Sequence, residues 1–150
     1  MQFEYQLYVP FRACDLPSEQ SETKCAYVDF VIAKAWGYLL LEIDEGQHSA
    51  YPSSCDVRRD FDIAASIALG SDQKLVILRD NPDAFRVAGK NRTVAQKERH
   101  AKLLETIESL GEPQGFRRLF MYYDRDGEGS ELPTIAKEWD PAARGISGCV

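Results

Sequence analysis

In the run Leu39-Leu40-Leu41-Glu42-Ile43-Asp44-Glu45-Gly46-Gln47-His48, two acids stand two positions apart at the end of an apolar segment. Residues two apart in a strand share a face, so Glu42 and Asp44 project to one side while Leu41 and Ile43 pack on the other. A third acid, Asp29, interrupts Val28-Asp29-Phe30-Val31-Ile32, and a short turn at Trp36-Gly37 would lay that strand beside the first. Three carboxylates are then expected to converge. Carboxylates held close in a partly dry site raise one another's proton affinity and need a neutralising cation. Mg²⁺ or Mn²⁺ suits such a site, taking oxygen ligands from one or two carboxylates and leaving positions for water and phosphate. Asp29, Glu42 and Asp44 are therefore candidate metal ligands. Removing one of three like charges, as in Asp44→Asn, is expected to stabilise the metal-free protein. His48, ordinarily titrating near ~6.5, could serve as general base or acid, with Gln47 orienting a partner.

Charge is unevenly placed. The chain carries 24 acidic residues against 18 Lys plus Arg, for a net charge of −6. Yet Arg86, Lys90, Arg92, Lys97, Arg99 and Lys102 meet only Glu98 between them, so that segment holds +5 and the remainder −11. It is the best candidate for phosphate contact, with an ordinary solvated helix start as the competing account. Cations near a helix N-terminus oppose the dipole, which favours a functional reason for them. Arg58 and Arg59 are further candidates for nucleic-acid contact, although Asp56, Asp60 and Asp62 stand ready to pair with them. His100 shares a helix face with Leu103, Leu104 and Ile107 and is expected at the core boundary. Asp124-Arg125-Asp126-Gly127 lacks the acids of a calcium loop and is read as a turn.

The elements that must position these residues follow from periodicity. Phe3, Tyr5, Leu7 and Val9 alternate with polar neighbours and predict a strand; Ala26–Ala33 and Tyr38–Asp44 predict two more in an antiparallel meander. Val57, Phe61, Ala64, Ala65 and Ala68 recur at helical spacing, predicting a helix over Asp56–Leu69 capped by Gly70. Leu75-Val76-Ile77-Leu78 predicts a strand buried on both faces, stopped by the turn Asn81-Pro82-Asp83. A second helix is expected over Val94–Leu110, with Thr93 as N-cap, Leu103, Leu104, Ile107 and Leu110 inward, and Gly111 ending it. Arg118–Tyr123 predicts the last strand. The fold class is α/β, a mixed β-sheet flanked by helices in the order β-β-β-α-β-α-β, in one domain of 150 residues with its core at about residues 3–123 and an irregular tail over 124–150. No window is apolar enough to span a membrane. The N-terminus lacks the pattern of a secretory signal, so an intracellular location, cytoplasm or nucleus, is expected. Cys14, Cys25, Cys55 and Cys149, which form no CxxC pair, are then free thiols.

Asp29, then Glu42-Ile43-Asp44 after thirteen positions, then Gln47-His48, resembles the PD-(D/E)XK nuclease superfamily, in particular the branch allied to the very short patch repair endonucleases. Continuing through Tyr51, Cys55, Arg58-Arg59, Leu78-Arg79 and Asn81-Pro82-Asp83-Ala84-Phe85, it resembles an uncharacterised group in algae and giant viruses, over roughly Tyr5 to Tyr123. The resemblance implies a restriction-endonuclease-like fold with the first acid on the second strand and the second on the third. It also implies metal binding by Asp29 and Glu42, with the Ile43 carbonyl as a third oxygen. Two departures accompany it. Asp44 stands where the superfamily has a lysine, an acid shared by the allied branch, which follows it with a histidine. The superfamily core also opens with a helix for which Met1-Gln2 leaves no room, so an N-terminally shortened chain or a later helix covering that face is expected. Pattern alone favours Glu42 and Asp44 as solvent-facing acids on an edge strand; the match with Asp29 and His48 favours the metal site.

These observations predict an endonuclease dependent on Mg²⁺ or Mn²⁺ that hydrolyses DNA phosphodiesters, with RNA as an open second substrate and a homodimer as an open assembly. A catalytically inactive nuclease-fold module binding nucleic acid or protein is the alternative. A small-molecule enzyme has no Gly-rich phosphate loop or nucleophile motif to support it.

Overall fold

The computed structural model describes the backbone of residues 2–7, 11–12, 22–23, 26–48, 53–68 and 73–124, and the side chains of 27–46, 57–67 and 73–124. Its core is a five-stranded mixed sheet. Strands β1 (Gln2–Leu7), β4 (Ala26–Lys34) and β5 (Gly37–Ile43) form the expected antiparallel meander, and β6 (Lys74–Asp80) and β9 (Arg117–Met121) add to it in parallel, in the order β1-β4-β5-β6-β9. Two short ribbons stand apart from it, β2 (Phe11–Arg12) with β3 (Glu22–Thr23), and β7 (Phe85–Val87) with β8 (Lys90–Arg92). β2, β3 and β8 carry no apolar alternation and β7 only three residues of it, too little to make a strand legible in the sequence.

Alternation divides the sheet's side chains between two helices. Val28, Leu40, Leu75 and Ile77 are buried on one face with Ile63 of α1 (Ser53–Ala68). Leu39, Leu41, Val76, Leu78, Leu119 and Met121 are buried on the other with Ile107 of α2 (Gln96–Ser109). Each such side chain contributes roughly 1.5–3 kcal/mol on leaving water, and β6, covered on both sides, is the continuous apolar strand its sequence predicts.

Gly37 fixes how β4 turns into β5. The strands are joined through Ala35-Trp36, and Gly37 takes φ +149°, with β6 so close that a Cβ would lie 2.1 Å from the Lys74 carbonyl oxygen. Only glycine accommodates both conditions, and the resulting register, Lys34 opposite Gly37 through Phe30 opposite Leu41, brings Asp29 to Glu42.

α2 departs from expectation. It starts at Gln96 with Ala95 as N-cap and no side-chain cap, so Thr93 lies outside it. It ends where Leu110 turns extended, its N–H still bonded to the Thr106 carbonyl, rather than at a left-handed Gly111. The buried stripe of α2 is Arg99, Thr106 and Ile107; Leu104, expected inward, is 54% exposed, and His100 is exposed rather than at the core boundary. The Gly70 cap, the turn and tail beyond Asp124, and the side chains of the four cysteines lie outside the described residues. Among the described residues no helix is long and apolar enough to cross a membrane.

Candidate active site

Asp29 and Glu42 are brought together as expected. The β4–β5 ladder stops at Phe30 and Leu41, and one step further the carboxylates of the two acids accept from backbone N–H groups of the facing strand. The Asp29 carboxylate accepts the Ile43 N–H at 2.7 Å, and the Glu42 carboxylate accepts the Asp29 N–H at 3.4 Å. A side chain thus takes over the pairing where the strands separate. Glu42 is buried, and Arg59 of α1 reaches it, Nη1 lying 2.6 Å from Oε1 while Nη2 donates to the Tyr27 carbonyl. Burial pushes the Glu42 carboxyl above its ordinary range; Arg59 opposes that rise, and the charge of Asp29 adds to it.

Asp44 does not join them. It shares the face of Glu42, but its N–H bonds the Asp80 carbonyl at 2.8 Å, continuing β5 toward β6 rather than β4. Its carboxylate is gripped on both oxygens by Arg79, at 2.5 Å from Nε and 3.0 Å from Nη2, and also accepts the Tyr123 hydroxyl. Arg79 in turn donates Nη1 to both oxygens of Asp60 at 3.0 and 3.2 Å, and Arg118 donates to Asp60 at 2.6 Å. Two acids and two guanidinium groups, all buried, compensate one another. The expected convergence of three carboxylates is therefore corrected to a pair. Among the described residues no three His, Cys, Asp or Glu side chains are grouped to hold a metal ion. The expected stabilisation by Asp44→Asn is corrected as well: that substitution breaks a bidentate ion pair instead of relieving repulsion.

Arg79, Asp60, Arg118 and Tyr123 had no expected site role. An arginine closing the apolar run Leu75–Leu78 is the signal for the first, since a cation there must find buried acids. Tyr123 depends on backbone geometry. Along β9, Leu119 and Met121 face α2, so alternation would send Tyr122 to the opposite face; Tyr122 instead adopts φ +58° and packs with Leu119 and Met121. That left-handed residue reverses the alternation and delivers Tyr123 to Asp44. Burial and the adjacent Asp44 hold the Tyr123 hydroxyl protonated, so it acts as a donor.

The Asn81-Pro82-Asp83 turn ties these pieces together. Asn81, buried, donates to the Tyr122 carbonyl at 2.8 Å and accepts the Asp83 N–H at 3.1 Å. Asp83 accepts the Gly46 N–H at 2.7 Å, pinning the 3-10 turn Glu45–His48. Gln47 and His48 are thus placed, through their backbone, just beyond the carboxyl end of β5; their side chains lie outside the described residues.

The basic candidates divide. Arg86, Lys90, Arg92 and Lys97 are exposed on the β7–β8 ribbon and the start of α2, as is Arg58 on α1. Arg99 is buried: it donates to the Asn81 and Asp83 carbonyls at 2.8 and 3.0 Å, with its guanidinium 4.5 Å from the Tyr122 ring centre and 5.3 Å from that of Phe85. Its charge holds the turn and is withdrawn from phosphate. Arg59 is likewise committed to Glu42, and Lys102 to Glu105 at 3.0 Å.

Asp80 is a buried acid with one carboxylate oxygen unpartnered. Burial raises its pKa to about 6; Arg99 and His100 oppose the rise and Asp44 adds to it. Between about pH 4 and 6 the unfolded chain loses this proton while the folded chain keeps it, so the group's contribution to stability falls across that window and stays low above it. Asp80→Asn is therefore expected to raise the thermal midpoint at about pH 8 and leave it nearly unchanged near pH ~3.5. Equal shifts at both pH values in thermal melts would contradict this.

No protein-family model, characterised protein or solved structure matches the chain.

Proposed function

We propose that the chain is a metal-dependent endonuclease of the restriction-endonuclease-like type that hydrolyses DNA phosphodiester bonds, with Asp29 and Glu42 as the residues that hold Mg²⁺ or Mn²⁺. The observation carrying this reading is the juxtaposition of those two carboxylates where β4 and β5 separate. Two carboxylates suffice for Mg²⁺, which keeps several waters and takes further oxygens from phosphate. The raised Glu42 carboxyl fits a cation, because burial still outweighs Arg59 and a further positive charge would favour the anion. Asp29 and Glu42 would hold the divalent ion, which when bound would supply positive charge to the scissile phosphate and the attacking water. Arg59, released from Glu42, has the planar fork that grips a phosphate. Asp44 acts as a positioning residue, fixing the start of the turn that carries Gln47 and His48. His48 holds or delivers the proton of the water or of the leaving oxygen.

The exposed cations Lys90, Arg92 and Lys97 form the phosphate-facing surface in this reading. Replacing all three by Gln is expected to weaken DNA binding regardless of sequence and to flatten the slope of log affinity against log salt by about 0.9 per lost contact. An unchanged slope would leave the cluster a role in solubility alone.

A second reading is a catalytically inactive module that keeps the fold to bind nucleic acid or protein. The Arg59–Glu42 ion pair favours it, since a guanidinium already stands where a cation would act. Incubation of supercoiled plasmid with Mn²⁺ separates the two. Nicking by the wild type and not by Asp29→Ala supports the nuclease; binding without nicking supports the module.

A further inference from the structure

Strands β5, β6 and β9 are parallel, so their carboxyl ends lie on one edge of the sheet. Beyond that edge is a cleft of about 620 Å³, lined by Gly46 after β5, Ala84 to Arg86 after β6, Asn91 of β8, and Tyr123 and Asp124 after β9. The carboxyl edge of parallel strands is where open α/β sheets take ligands, and the volume lies within the range of small-molecule sites. We propose that this cleft receives one unstacked nucleobase of the nucleic-acid strand, an inference resting on the nucleic-acid reading above but not on catalysis.

The lining matches a base more closely than a free phosphate. Tyr123 spends its hydroxyl on Asp44, and its ring is braced edge-on against Phe120 with centres 5.1 Å apart, so what it offers the cleft is a fixed aromatic ring. Asn91 is exposed and carries both a donor and an acceptor for a base edge. Asp124 accepts the Arg86 N–H at 2.7 Å, and its negative charge repels an anion while favouring the amino group of a base. Arg86, with Lys90 and Arg92 exposed on the same ribbon, meets the backbone phosphates on either side. Only an unpaired or flipped base can enter, which makes single strands, flaps or distorted duplexes the substrate class.

The test measures binding in EDTA, so that cleavage plays no part. The probes are a strand of abasic spacers about ten units long and the same strand carrying a single 2-aminopurine. The base is expected to tighten binding roughly 5- to 150-fold, the usual worth of one base stacked on an aromatic ring, with a change in its fluorescence. Tyr123→Leu should abolish that gain while Tyr123→Phe, which loses the same hydroxyl, keeps it. Asn91→Ala, at an exposed position, should reduce the gain without moving the thermal midpoint. Equal affinity for the two strands, or equal loss in the Leu and Phe variants, overturns the proposal. Free 2-aminopurine nucleotide binding as tightly as the strand also overturns it, in favour of a free-nucleotide site. Base-dependent binding in a protein that nicks no plasmid leaves this inference standing and removes the nuclease reading.

Discussion

Arg79→Met is expected to destabilise the fold by about 3–5 kcal/mol, the cost of leaving buried charges without their partner. Arg79 is the bridge between two acids: it grips Asp44 on both oxygens and donates to both oxygens of Asp60. Its removal takes from Asp44 a guanidinium held on both oxygens and from Asp60 one of its cations, with Arg118 at 2.6 Å and Arg59 at 3.7 Å remaining, inside a region closed to water. For a chain of this length that corresponds to a midpoint lower by roughly 6–20 °C. Arg79→Lys should lie between, because one ammonium cannot serve two carboxylates as a planar fork does. Asp44→Asn should also destabilise, and adding it to Arg79→Met should cost less than the sum of the two, since the acid that loses its guanidinium is then gone. Chemical denaturation of the wild type and the four variants measures each quantity. A loss below ~1 kcal/mol for Arg79→Met would mean that solvent reaches the network and that it does not hold β5, β6 and β9 together.

Asp29→Asn and Glu42→Gln are expected to remove divalent-ion binding and plasmid nicking together, by more than the ~10–100-fold that follows when a group merely supports a ligand. Both keep the size of the side chain, and the amide oxygen introduced by Asp29→Asn can still accept the Ile43 N–H, so folding should survive. The stability changes should differ in sign from those at Asp44. Glu42→Gln removes a buried anion whose desolvation outweighs its pairing with Arg59, and Arg59 itself is partly open to water, so the variant should be no less stable than the wild type above about pH 7. His48→Ala should leave ion affinity intact and slow nicking by roughly 10²–10⁴, the range for a missing acid or base. Calorimetric titration with Mn²⁺ and nicking rates separate the two roles. A wild type that binds no Mn²⁺, or Asp29→Asn and Glu42→Gln variants that nick at the wild-type rate, would remove the nuclease reading and leave the binding module.

Alternation and helical spacing are local properties, and what depends on them is legible in the sequence. The β-β-β-α-β-α-β order of the main sheet, the double-sided burial of β6 and the meeting of Asp29 with Glu42 across a tight turn all follow from residues close along the chain. The partners of the charged groups are not legible, because they depend on how distant segments align. Asp44 and Arg79 stand 35 residues apart and meet only through the parallel register that sets Glu42 opposite Arg79. Arg99 reads as one of a row of surface cations, yet the helix turns it inward over Phe85 and Tyr122, while Leu104 on the same helix faces out. Tyr123 reaches Asp44 only because Tyr122 takes a left-handed backbone that no periodicity encodes. Local pattern accounts for the strands and helices along the chain, the doubly buried β6 and the meeting of Asp29 with Glu42. Tertiary structure alone decided which acid is gripped by a guanidinium, because burial makes every charge seek a counter-charge and only the packed register determines which one lies within reach.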